Sequence, residues 1–220
     1  MTPATHAAVA AVLASRIRPL PVALAAAFAS HFLIDVVYHF EAFYPVSVLG
    51  KWSVDHTTAG IFALLGLLGL PLLVWIFRHD RVVGAFACYA LLLASLTFET
   101  RRGWRLVWMA LFSAGWIAWG PNGRLRRWVL CSFVALLPDL LKKFNPALMG
   151  LHDWFHYDPR LRIGDWLSLL LRGRWRLHPN YQIYDPCYVA GYIVEVLLEG
   201  VILWGCLYWL ARRPPSADQG

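Results

Sequence analysis

Residues 30–44 read SHFLIDVVYHFEAFY, and within them His31, Asp35 and His39 recur at every fourth position of an otherwise apolar run. Helical side chains at i and i+4 stack on one face, so the three would share a stripe over two turns. Imidazoles and carboxylates sheltered side by side are ligand types that zinc accepts. The same stripe would also serve as a polar seam between helices, with Asp35 hydrogen-bonded to a Ser or Tyr on a neighbour. Asp55 and His56, in DHTT, precede the clearest apolar run; Asp55 has the position of a helix N-cap, with His56 a ligand candidate beside it. In LLPDLL, Asp139 follows a proline, which loosens the helical backbone around it. In LHDWFHY, His152 and His156 repeat the four-residue spacing, a nitrogen pair like that of HExxH, although Asp153 occupies a different register from its Glu.

The elements that must position these groups are read from apolar runs. Apolar residues make up 59% of the 220 and charged residues 15%, with a mean hydropathy of +0.52, against about 25% charged in an ordinary soluble domain. Twelve Trp and nine Tyr suit headgroup-level belts. These features predict an all-α, polytopic membrane bundle of about six spans: residues 20–40, 57–77, 82–98, 106–120, 125–141 and 186–211. Each approaches the roughly 20 apolar residues that cross a bilayer. Residues 4–17 form a short N-terminal helix that dips in or lies flat. Residues 142–185 are expected as an interfacial insertion, with an amphipathic helix in LRIGDWLSLLLR. Residues 1–212 thus make one domain, and 213–220 a polar tail.

The net charge of +7 falls in short clusters between apolar runs. Membrane lipids are therefore the expected partners and nucleic acid is not. One set of loops carries Arg16, Arg18, Arg78, Arg81, Arg124, Arg126, Arg127, Arg212 and Arg213 with almost no acid, and is expected to face the cytoplasm. Cys88, Cys131, Cys187 and Cys206 have no paired spacing and read as small hydrophobes. The first arginine comes after the N-terminal apolar stretch, so that stretch lacks a signal-peptide n-region and is expected to be retained.

Alternating spans gather the candidates at one end: His39, Asp55, His56, Asp139, His152 and His156, with Glu99, Glu195 and Glu199, and His6 if the first helix crosses. That threading implies one shared polar or metal-binding pocket.

MTPATHAAV, SHFLID and LLPDLL resemble segments of the predicted membrane-bound metal-dependent hydrolases, small multi-span bacterial proteins. The resemblance implies metal-ligand roles for His31, Asp35 and Asp139, and for His6, and a place in the bacterial inner membrane. The chain departs from that family where LLPDLL continues as LLKKF, where an acid-His pair is usual. The family's His-Arg-x-x-Thr-His segment is also absent, and the order of segments is altered.

The leading expectation is a hydrolase using a divalent metal of zinc type on a phosphoester or lipid-headgroup bond. Its ligands would come from His31, Asp35, His39, His56, Asp139, His152 and His156, with Asp55 or Asp153 orienting a histidine or acting as general base. The alternative is a non-enzymatic membrane protein whose buried His, Asp and Glu pack helices or relay protons or ions. Haem held between spans ranks last, because His31 has no evident partner at its depth.

Overall fold

Pro3 opens the first helix, where a fixed φ and a missing N–H cost nothing, and alanine, the strongest helix former, fills six of the remaining thirteen positions. In the computed structural model the described residues are 3–37, 54–95, 102–141, 144–157 and 186–212, with side chains over most of 3–35, 67–93, 107–141, 144–155 and 197–212. Among them every regular element is a helix: α1 Pro3–Arg16, α2 Leu20–Val37, α3 Val54–His79, α4 Arg81–Ser95, α5 Arg102–Trp119, α6 Gly123–Leu141, α7 Pro146–Tyr157 and α8 Pro186–Ala211.

The breaks between helices obey local chemistry. Pro19 disfavours helical backbone at Arg18 and separates α1 from α2. Asp80 Oδ1 accepts the amides of Val82 (2.9 Å) and Val83 (3.2 Å), capping α4. Asn122 Oδ1 accepts Arg124 N at 2.7 Å before α6. Asn145 Oδ1 accepts Ala147 N (3.0 Å) and Leu148 N (3.1 Å), with Pro146 at the first position of α7.

The short N-terminal helix is the axis of the bundle. It packs against α2, α4, α6 and α8, and Ala4, Ala7, Ala8, Ala10, Ala11 and Ala14 are all buried. Side chains of one carbon allow neighbours to approach on several sides at once. Helix α6 runs antiparallel to α1: Ser132 Oγ, near its middle, donates to Ala7 O at 2.9 Å, while Arg127, a turn earlier, donates through Nε to Ala14 O at 3.0 Å and through Nη2 to Ile17 O and Arg18 O. Phe86, Tyr89 and Leu93 of α4, Trp128 and Leu136 of α6, and Leu203 and Leu207 of α8 complete the core. Where α3 meets α8, a Cβ at Gly69 would overlap the Trp204 indole, so this crossing requires glycine.

The all-helical expectation agrees with this architecture, but the membrane bundle does not. Among the described residues no helix is long and apolar enough to cross a membrane. Helix α1 has 14 residues, too few at 1.5 Å per residue for a core about 30 Å thick. Helices α5 and α6 begin in arginines, and α6 ends beside Asp139. The apolar run of α2 is interrupted by His31 and Asp35, and only the second halves of α3 and α8 have described side chains. The expectations of six spans, of a cytoplasmic arginine side and of an inner-membrane location are corrected accordingly. The physical reason is that a helix hydrophobic all round reads alike whether protein or lipid surrounds it. Apolar side chains also face outward here, among them Leu67, Val74, Trp119 and Phe144. The amphipathic helix expected in 161–172 and the tail 213–220 lie outside the described residues, whereas α7, within the expected insertion, packs on α2 and α6.

Candidate metal centre

His6 and His31 stand at nearly equal distances from the turn at 17–19, on two antiparallel neighbours, so the α1–α2 hairpin brings them level. Their rings stack, with centroids 4.5 Å apart and planes inclined by 21°. One turn beyond His31, Asp35 straddles both: Oδ1 lies 3.2 Å from His6 Nε2 and Oδ2 lies 3.1 Å from His31 Nε2. All three side chains are buried.

Helix α6, antiparallel to α1, delivers its C-terminal end to the same place. Pro138 has no N–H to continue the hydrogen-bond ladder, and Asp139 is the next residue. The Asn145 cap then turns the chain back into α7, so His152 Nε2 reaches Asp139 Oδ1 at 3.0 Å. Phe155 of α7 sits against Phe32 of α2, with centroids 5.5 Å apart; this contact sets the His152 ring 5.8 Å from that of His31.

Two triads of donor atoms result, each within 4.8 Å: His6, His31 and Asp35, and His31, Asp139 and His152. His31 belongs to both. Its pKa is lowered from 6.5 to about 4, chiefly by burial and next by His6, with Asp139 and Asp35 pulling the other way. The imidazole is therefore neutral near pH 7 and keeps a lone pair for a ligand. Two ligands 2.0–2.1 Å from a tetrahedral ion stand about 3.3 Å apart, close to the His–Asp separations of 3.0–3.2 Å here.

No family model, curated protein or solved structure matches this chain.

Of the candidates read from sequence, His31, Asp35, Asp139 and His152 come together. His39 lies outside the described residues. Asp55 and His56 lie in the first turn of α3, and Asp153 and His156 in α7, but their side chains are outside the described set. The second spacing pair, His152/His156, is thus represented by His152 alone. Sequence places His6 in the group only on the condition that the first helix crosses, and the position of α1 makes it a full member. Thr5 carries no signal in the sequence: its hydroxyl donates to Glu199 Oε2 at 3.4 Å, linking α8 to the helix that bears His6. A lone histidine within an alanine-rich helix is the available clue to that helix. Cys88, Cys131 and Cys206 belong to neither triad, and burial raises each thiol's pKa, to about 11 for Cys206. They are small apolar side chains rather than ligands.

Proposed function

We propose that this chain is a metal-dependent hydrolase whose working centre is His31, Asp139 and His152. The observation that carries this reading is the position of Asp139. Its side chain is 41% exposed, whereas that of His152, its partner at 3.0 Å, is fully buried. The triad is therefore rooted in the core and open to water along one edge. Three protein donors with an open fourth position is the arrangement of catalytic zinc; structural zinc is closed by four. An ion held there supplies Lewis acidity and lowers the pKa of water toward about 7.

The chain's own residues have distinct tasks. Burial keeps His31 neutral. Asp35, 3.1 Å from His31 Nε2, fixes the ring's orientation, as a carboxylate behind a ligating histidine does. Phe155 braces α7 and, with it, His152. Asp139 stands where a substrate would arrive. The formal charge of +7 favours an anionic substrate by long-range attraction, so a phosphoester is the bond class we assign.

The test is to strip the purified protein with a chelator, reload it with zinc or manganese, and measure hydrolysis of p-nitrophenyl phosphate and bis(p-nitrophenyl) phosphate, with a carboxylic ester as contrast. Metal-dependent phosphoester turnover that falls on the order of 100-fold or more in Asp139→Asn is expected. A protein that binds no metal yet is fully stable would show the histidines and aspartates to be a packing network instead.

A further inference from the structure

The five donors of the centre do not fit one ion. Ligands at 2.0–2.2 Å can stand no more than about 4.4 Å apart across a shared ion. The donors instead close as two triads with only His31 in common. The two triads also differ in character. Around Asp139 the site meets solvent, whereas His6, His31 and Asp35 have side-chain exposures of 2% or less. That inner group presents four donor atoms: Nε2 of His6, Nε2 of His31 and both oxygens of Asp35, each oxygen within 3.2 Å of one imidazole nitrogen. Four inward donors without access for substrate are the marks of a structural rather than a catalytic ion site.

We propose that His6, His31 and Asp35 form a second, closed site for a divalent ion, which fastens α1 to α2 behind the working centre. This second site shares with the proposed hydrolase centre the class of ion and the His31 ring. His31 serves both sites at once through its two ring nitrogens, having released its N–H proton to solvent as the second ion enters. The charges then sum to +4 from two ions, −2 from Asp35 and Asp139 and −1 from the imidazolate. The surplus of +1 makes loading stepwise, the second ion binding more weakly than the first.

The experiment titrates chelator-stripped, full-length protein with zinc alone. Bound metal is measured by elemental analysis after gel filtration, and the thermal midpoint at each step. Two zinc ions per chain are expected in the native protein, one in His6→Ala, one in Asp139→Asn and none in His31→Ala. Zinc should still raise the midpoint of Asp139→Asn, which retains the inner site, and raise that of His6→Ala far less. His6→Gln replaces His6→Ala if the latter does not fold. One zinc per chain, lost in both His6→Ala and Asp139→Asn, would mean a single shared ion and overturn the proposal. One zinc kept in His6→Ala and lost in Asp139→Asn would overturn it while leaving the working centre intact. One zinc lost in His6→Ala and kept in Asp139→Asn would support the inner site and remove the metal from the proposed hydrolase. Two ions indifferent to His6 would place them elsewhere and overturn the proposal.

Discussion

The two ends of the bundle use charge in opposite ways. At one end, Arg124 Nη2 donates to both oxygens of Asp80, at 2.8 and 2.7 Å, while Asp80 also caps α4. Arg127 closes carbonyls at the end of α1 and in the turn that follows it. Arg16 lies over Trp209, Arg124 over Trp128 and Arg212 over Tyr208, at 4.6, 5.0 and 4.7 Å from the ring centroids. Every one of these contacts finishes a helix end or covers an aromatic face. At the other end, about 18 Å along α6 from Arg127 to Asp139, imidazole nitrogens and carboxylate oxygens from four helices turn toward one another. There the close polar contacts run from side chain to side chain. Polar groups at the first end complete the backbone, whereas those at the second converge on one another.

The largest difference between the ends should appear with metal. His31→Ala is expected to lose all bound zinc and at least about 1000-fold in phosphoester turnover, whereas Arg127→Ala should keep its zinc. Comparable metal loss from both variants, measured by elemental analysis, would erase the distinction.

Next comes acidity. In metal-free protein the pKa of His31 falls on folding from 6.5 to about 4, so the unfolded chain takes up the proton first. Its contribution to stability is full above pH 6.5 and is lost as pH falls toward 4, on the order of 3 kcal/mol in all. Denaturant titrations across that window should show this slope in the native protein and a much flatter one in His31→Gln. An unchanged slope in the variant would assign the acid sensitivity to other groups.

The remaining two predictions concern the arginine end. Arg127→Ala should cost about 2 kcal/mol, since it removes the three bonds donated to the carbonyls of Ala14, Ile17 and Arg18 at the turn between α1 and α2. Asp80→Asn should cost about 1 kcal/mol, because asparagine still caps α4 and only a partly solvated ion pair is lost. Both should lower the denaturation midpoint with zinc stoichiometry unchanged. A fall in bound zinc in either would show that the ends are coupled.

Much of this arrangement is legible in the sequence. The apolar run at 186–211 has the same limits as α8, and that at 20–40 contains α2, because a long, mainly apolar stretch of helix-forming residues has few other ways to bury itself. Four-residue spacing places His31 and Asp35 on one stripe, and the alternation of helices brings Asp139 and His152 to the same end. The surroundings of the helices are not legible in this way. Hydropathy measures how strongly a side chain avoids water, not whether protein or lipid replaces it, and the membrane reading fails on that point. The rank of α1 is equally hidden. Fourteen residues suggest a peripheral helix, whereas the row of alanines fits a position crowded on every side. Thr5 and Glu199 meet across 194 positions of sequence, a pairing that no local periodicity encodes.

The central place of α1 bears on the order in which the chain can assemble. Besides its hairpin partner α2, this helix packs on α6 and α8, the latter spanning residues 186–211. Contacts so distant along the chain close slowly, and an alanine helix of 14 residues is marginal by itself in water. The hairpin with α2 alone therefore leaves α1 incompletely packed, and His6 is held in full only once α6 and α8 are in place.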